Sequence, residues 1–233
     1  SPPPPSHVTL VSSLLGHVHQ TSSLVSVHPL PRLYAPEVGD LLVGQVVSVH
    51  SHRWDVSIGS AFPGQLALSS VSLPTGDQRI RTAKDALAMR EVQREGDYVT
   101  CEVQQVTQSG GCALHARSAR MGRLRNGVVV RVPGALVTRC KSHHFEVGST
   151  TVVLGVNGVV WIQRTIPPIE GGKVETFEAV DEGRRRHEAT PNDPEVVKEI
   201  GLVKAIVGLL VKCFREVTKE TVGGAFRRCE EMG

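Results

Sequence analysis

The sequence predicts an α+β protein built from several small parts: a β-hairpin, then a closed five-stranded β-barrel, then a mixed α+β unit. Three observations lead there. Short runs of alternating apolar and polar residues, punctuated by Gly-containing turns, crowd residues 41–116, which is how a small barrel reads. Two β-rich runs flank Asn157-Gly158, a dipeptide favoured by tight hairpins. From Pro194 onward Val196, Val197, Ile200, Val203, Ile206, Val207, Leu210, Phe214 and Val217 recur at three- and four-residue steps, the stripe of a packed helix. With 40% hydrophobic residues the 233-residue chain can bury a core, which excludes disorder throughout, although aromatic residues make up only 4%.

Each element follows from local pattern. After the proline tract Ser1–Ser6, Val8–Leu33 alternates small apolar residues with Ser, Thr and His, which predicts a short hairpin. Glu37-Val38-Gly39-Asp40 opens the first barrel strand, Leu41–Val49, where Val43, Val47 and Val49 fall on one face. Trp54–Ile58 alternates without a break, Gly59-Ser60 turns the chain, and Gln65–Leu68 begins the third strand. Thr82–Gln93 carries Ala83, Ala86, Leu87 and Met89 at helical intervals, so a short helix crosses between strands. Glu95-Gly96-Asp97 then restarts a strand through Val99, Cys101 and Val103, and Ser109-Gly110-Gly111 turns it into Cys112–His115. Gly127–Val132 reads as a strand stopped by Pro133-Gly134, and Ala135–Cys140 as one or two helical turns. Thr151–Ile162 reads as a hairpin of type I′. Pro167–Asp193 is polar, contains Gly171-Gly172 and Arg184-Arg185-Arg186, and reads as a solvated connecting loop. Asp193-Pro194 is an N-cap followed by proline at the first helical position; that helix runs to about Glu220, and Val222–Gly233 adds a shorter one anchored by Phe226. The chain therefore divides into residues 1–36, 37–119 and 120–233.

Composition narrows the function classes. The longest apolar run in the late helical region, Ala205–Val211, is bracketed by Lys204 and Lys212 and falls far short of the roughly 20 residues a bilayer requires. The opening tract lacks the basic flank and apolar stretch of a secretory signal, so an intracellular chain is expected. Cys101, Cys112, Cys140, Cys213 and Cys229 form an odd set without a C-x-x-C pair, so neither a disulfide framework nor a zinc ribbon follows. The formal charge is only +3, but Arg120, Arg123, Arg125, Arg131, Arg139, Lys141 and Arg164 stand against Glu146 alone in residues 120–166. Such a stripe suits a polyanion.

The residues Val38-Gly39-Asp40, His52-Arg53-Trp54, Leu68–Gly76, Ala86–Arg90, Glu95-Gly96-Asp97 and Leu114–Ser118, in that order, resemble the ribosomal-RNA-processing protein 4 family, as does Leu154–Ile162 further on. That family is the cap subunit of the eukaryotic RNA exosome, with an N-terminal β domain, an S1 barrel of the OB-fold type and a KH domain. The resemblance runs from about residue 8 to the end, more weakly through the Pro194 helix. It implies a subunit that is not an enzyme and needs no cofactor, in a hetero-oligomer with RNase PH-like ring subunits and other cap subunits. It implies single-stranded RNA as ligand, guided into a central pore, and a nuclear and nucleolar, also cytoplasmic, location. An RNase PH-type catalytic domain would itself fill nearly the whole chain, and the strands and turns leave no room for one.

Single-stranded RNA is held by cations around stacking rings. Arg53 and Trp54 are the local counterparts on the barrel, with Trp54 open to two readings, surface stacking or the core position usual for a tryptophan on an alternating strand. Phe62 is ambiguous in the same way, and Ala67 stands where many S1 domains have a histidine. Arg117, Arg120, Arg123 and Arg125 mark the barrel's exit into the basic stripe, and Arg139 and Lys141 are candidates for nonspecific phosphate contacts. Gly155-Val156-Asn157-Gly158 superficially satisfies the G-x-x-G clamp of KH domains. Strand-forming residues lie on both sides of it, so Gly155, Asn157 and Gly158 are assigned to a structural turn. The clamp is expected near Arg139-Cys140-Lys141-Ser142, which has no glycine, so the KH-like unit serves mainly as a docking element. Cys140 with His143 and His144, and His17 with His19, lack the further groups that a thiol nucleophile or a metal site requires. No catalytic or metal-binding residue is assigned. The competing reading is a purely structural scaffold subunit that makes no direct RNA contact.

Overall fold

The computed structural model describes residues 11, 13, 16–29, 33–71, 87–118, 120–140, 142–166 and 177–232. Strands β1 (Gly16–Thr21) and β2 (Leu24–Pro29) pair antiparallel as an isolated two-stranded sheet, turning at Ser22, whose φ is 55°. The proline tract, the first part of the expected 82–93 helix and Lys141 lie outside the described residues.

Strands β3 (Leu41–Val49), β4 (Arg53–Ser57), β5 (Gly64–Val71), β6 (Tyr98–Val106) and β7 (Cys112–Ala116) make the barrel, in the spatial order β3-β4-β5-β7-β6 with β3 and β6 paired to close it. Only β5 and β7 run parallel. Closure leaves the five strands without an open edge. Leu42, Val46, Trp54, Val56, Leu66, Val99, Cys101, Val103 and Leu114 fill the interior. A register shift between Val46 and Ser48 breaks the simple alternation of β3. Val43 is therefore buried on the outer side of the barrel, Val47 is exposed and Val49 is partly buried against the interior, so the three do not share one environment. Helix α1 (Met89–Val92) follows β5 and plugs the barrel with Met89. Strand β8 (Gly122–Leu124) pairs with the start of β6, which carries the barrel sheet five residues past 119.

The second sheet has the order β10-β11-β12-β9, from β9 (Gly127–Arg131), β10 (His144–Val147), β11 (Thr150–Leu154) and β12 (Val159–Arg164), all antiparallel. Between β9 and β10 the helical expectation is met by a single 3-10 turn, Gly134–Leu136. Helices α3 (Pro194–Lys212) and α4 (Lys219–Met232) cover this sheet with Ile200, Val203, Val207, Val222 and Phe226. Helix α3 stops at Lys212 rather than near Glu220, because Phe214 takes a φ of 51° and turns the chain. Thr218 and Thr221 then cap α4 reciprocally, each hydroxyl accepting the other's backbone N–H. Among the described residues no helix is long and apolar enough to cross a membrane.

The polar segment read as a loop contains a helix, α2 (Phe177–Ala189). Over residues 182–189, the part of it whose side chains are described, Arg184, His187 and Glu188 face inward and bond to Met121, Arg125 and Arg123. Its second half therefore offers no apolar period to read.

Candidate nucleic-acid interface

The strand directions gather the candidate cations. Strand β4 begins opposite the later part of β5, with Arg53 across from Ala67, and β7 ends beside the end of β5, with Ala116 next to Val71. Arg53 and Arg117 therefore lie toward one end of the barrel. Strand β8 pairs with the beginning of β6, which sets Arg123 across from Val99. Arg120 lies back along the barrel, beside Leu41 and Glu102 at the start of β3. His50 and His52 belong to the β3–β4 turn beside Arg53.

Arg53 has a half-exposed side chain whose Nε lies 3.4 Å from Asp55 Oδ1, and Asp55 also meets His50 Nε2 at 2.9 Å. Arg117 and Arg120 are exposed. The side chains of Arg53, Arg117 and Arg120 are at the surface.

Trp54 is not. Its side chain is 0% exposed, inside the barrel, and its indole N–H donates to the Gln93 carbonyl at 3.1 Å. An inward position on an alternating strand takes the ring to the core, and the N–H finds a carbonyl there, so the stacking assignment is corrected. Phe62, 51% exposed, is the ring that remains at the barrel surface, in the loop before β5.

Three further arginines of the basic stripe join the two folded units. Arg123 makes a two-pronged bond to Glu188, Nε to Oε1 at 3.1 Å and Nη2 to Oε2 at 2.6 Å, and its Nη1 donates to the Val92 carbonyl. Arg125 Nη2 reaches Asp97 Oδ2 at 3.4 Å. Arg139 Nε donates to Asp40 Oδ1 at 2.8 Å and its Nη2 lies 3.0 Å from Glu37. Burial raises the Asp40 pKa, but the bonds from Arg139 and Tyr34 outweigh it and hold the carboxyl below its ordinary value. A sequence count sees seven positive residues in this region; the fold brings Glu188 to Arg123, Asp97 to Arg125, and Glu37 and Asp40 to Arg139. Arg123, Arg125 and Arg139 are thus corrected from a free phosphate-binding stripe to inter-unit ion pairs, while Lys141 lies outside the described residues.

The assigned turn residues are also part of this joint. Gly155 to Gly158 connects β11 to β12, closed by the Gly158 N–H donating to the Gly155 carbonyl at 2.9 Å. Within it only Gly158 has a positive φ, 80°, so the turn is not type I′, which needs two such residues; it is a longer hairpin loop with its left-handed position at glycine. A Cβ on Gly158 would stand 2.2 Å from the Val132 carbonyl oxygen. Asn157, freed from that conformation, donates its amide to the carbonyls of Val43 and Ile58 at 2.9 and 3.0 Å, the Val156 N–H donates to Leu41, and the Val156 side chain enters the barrel core. The turn is covered by the barrel, so the glycines are not presented to RNA as a clamp. Val43, Leu124, Val153 and Trp161 form an apolar seam between the units, with Tyr98 and Trp161 ring centroids 5.5 Å apart.

The histidines of the joint are held neutral. Burial pushes His143 and His187 below the usual value, and burial with the charges of Arg120, His143 and Arg184 pushes His144 down to about 4. His187 Nε2–H donates to the Arg125 carbonyl, and the Asn126 amide donates to the His187 and Glu188 carbonyls at the end of α2. Cys140 is exposed, with its thiol toward the Ser142 carbonyl. Among the described residues no group of three or more His, Cys, Asp or Glu side chains is placed to hold a metal ion.

The arrangement defines a class: an OB-type barrel of S1 kind followed by a KH unit. A family model described as RRP4, S1 domain matches residues 33–105, and a KH-domain model matches residues 127–167. The exosome complex component rrp4 of Schizosaccharomyces pombe is 43% identical over 156 residues, covering 66% of this chain and 47% of the relative. Exosome complex component RRP4 of Saccharomyces cerevisiae is 45% identical over 155 residues, covering 66% and 43%. That of Mus musculus is 41% identical over 157 residues, covering 67% and 54%. Over these residues the chain belongs to the RRP4 family of exosome complex components. It spans about half the length of these relatives.

Proposed function

We propose that the chain is a non-catalytic, RNA-binding cap subunit of an exosome-type complex for 3′–5′ RNA processing and degradation. It stabilises a ring of RNase PH-like subunits, in contact with other cap subunits, and guides single-stranded RNA into the central pore, in the nucleus and nucleolus and also in the cytoplasm. The observation that carries the reading is the joining of an S1 barrel to a KH unit in a chain whose relatives are named exosome complex components. Exposed Arg53 and Arg117 toward one barrel end support a backbone-directed RNA contact, and the burial of Trp54 removes a stacking ring there.

The test is purification of the tagged chain from cell extract with identification of its partners, a nuclease assay on the chain alone, and RNA binding by the assembled complex. Recovery of ring subunits, no cleavage by the chain, and a several-fold loss of RNA affinity at low salt in Arg53→Ala with Arg117→Ala are expected. An isolated chain that cuts RNA would overturn the reading.

A second reading, the pure scaffold, is favoured by the use of Arg123, Arg125 and Arg139 within the fold. Unchanged RNA affinity in the double variant, with the complex intact, would select it.

A further inference from the structure

The β3–β4 turn holds a polar cluster centred on Asp55. Its Oδ2 lies 2.9 Å from His50 Nε2 and 3.2 Å from Ser48 Oγ, and its Oδ1 lies 3.4 Å from Arg53 Nε. Ser48 Oγ is also 3.1 Å from His50 Nε2. The side chains of His50 and Arg53 are 45% and 49% exposed and that of Asp55 only 20%, so the carboxylate lies below two groups that reach solvent. Facing the turn besides these are His52, exposed within it, and Glu95, which lies close to the Val49 N–H and pairs with Arg90 at 2.9 Å.

This geometry fixes the imidazole. An ionised carboxylate only accepts, so His50 Nε2 carries a hydrogen whether the ring is neutral or charged. The bonds of His50 to described residues all use Nε2, which leaves Nδ1 to solvent. Nδ1 is an acceptor on the neutral ring and a donor on the protonated one. Charge follows the same proton. Arg53 and Asp55 cancel, so the cluster is uncharged with His50 neutral and carries one positive charge with His50 protonated, when Asp55 has its nearer cation in His50.

A phosphate oxygen is a ligand that uses this change. It only accepts, so it bonds Nδ1 of the charged ring and not of the neutral one, and it can pair with Arg53 once His50 draws the Asp55 carboxylate. We infer that His50 is a further RNA-binding residue, whose protonated ring donates from Nδ1 to a phosphate oxygen of the strand beside Arg53. The inference rests on the RNA-binding reading above and adds to it that binding takes up a proton. Imidazole is the side chain whose charge changes between about pH 5 and 8, so the barrel end holds RNA more tightly toward the acid side of that range.

The test follows binding of the full chain to a single-stranded RNA decamer by anisotropy, with a pH-insensitive fluorophore, at about pH 8 and about pH 6 over a series of salt concentrations. Several-fold tighter binding is expected at the lower pH, with a salt slope steeper by about 0.7, the value of one phosphate contact on a single strand. His50→Gln keeps an amide that can donate to Asp55 but has no proton to gain, and both differences are expected to vanish in it. His50→Lys carries its charge throughout and is expected to bind at the higher pH as tightly as the original chain does at the lower. A nuclear magnetic resonance titration of the His50 ring, identified by its loss in His50→Gln, is expected to move to higher pH when RNA is added. Equal affinity at the two pH values, a pH effect that survives in His50→Gln, or a ring titration that RNA does not move would overturn the His50 contact and leave the RNA-binding reading standing. No binding at either pH would overturn both.

Discussion

The side-chain amide of Asn157 donates to the main-chain carbonyl of Val43 at 2.9 Å, across a separation of 114 residues. The same amide reaches Ile58, so one side chain ties the β11–β12 turn to two strands' worth of barrel backbone. Together with Val156 in the barrel core, this makes the turn a latch between two units that each have their own hydrophobic core.

Removing the latch should therefore cost stability at the joint. Asn157→Ala deletes two hydrogen bonds and leaves two carbonyls without their donor, a loss of about 2–3 kcal/mol. Asn157→Asp should be at least as damaging, because a carboxylate cannot donate to a carbonyl. Urea unfolding followed separately in the two units is expected to separate into two transitions. A single unshifted transition would show that the latch contributes nothing.

Arg123 and Glu188 should behave as a coupled structural pair. Both side chains are mostly buried and their contact is two-pronged, so a double-mutant cycle with alanine should give a coupling of about 1–2 kcal/mol. The salt dependence of RNA binding should stay where it was in Arg123→Ala. A shallower salt slope with unchanged stability would return Arg123 to the phosphate-binding residues.

Trp54 should report on the barrel core and not on RNA. In a Trp161→Phe background its emission is expected to be blue-shifted, resistant to acrylamide and unaltered by saturating RNA. Trp54→Ala should destabilise the barrel by about 3–5 kcal/mol. Quenching of Trp54 by RNA in the folded protein would contradict the buried position.

Acid should weaken the fold well before the carboxylates titrate. His143, His144 and His187 are neutral in the folded chain below the pH at which they protonate when unfolded, with His144 folded near 4 and an ordinary value of 6.5. The unfolded chain therefore binds more protons between these limits, and stability is full above about pH 6.5 and declines as pH falls toward 4. Denaturant midpoints at pH 7.5 and 5 should differ in that direction, and His144→Asn should reduce the difference. Equal midpoints would show that the histidines take up protons freely in the folded state.

Two glycines should respond oppositely to alanine. Gly158 has a φ of 80° and a carbonyl oxygen 2.2 Å from the added Cβ, so Gly158→Ala should cost more than about 2 kcal/mol. Gly201 lies exposed inside α3 with nothing within 4 Å, and Gly201→Ala should gain about 0.5–1 kcal/mol. Thermal unfolding of the two variants checks both signs.

The sequence by itself determined the elements whose signals are local. Alternation placed β4, β6 and β7, the 3.6-residue stripe placed α3, and Asn157-Gly158 placed the β11–β12 hairpin, because side-chain period and turn preference are properties of neighbouring residues. The short β10, four residues long, and the second half of α2, whose inward side chains Arg184, His187 and Glu188 are polar, offered no such period. What the arginines do was decided only in three dimensions. Arg53 kept an exposed position, whereas Arg139 found Asp40 at a separation of 99 residues and Arg123 found Glu188 at 65. Charge counts along a chain record which ions are present; whether an arginine is available to a phosphate or bound to a carboxylate depends on which segments the fold brings within about 4 Å. Trp54 shows the same division, since alternation assigns it a side of its strand but closure of the barrel decides that this side is the interior.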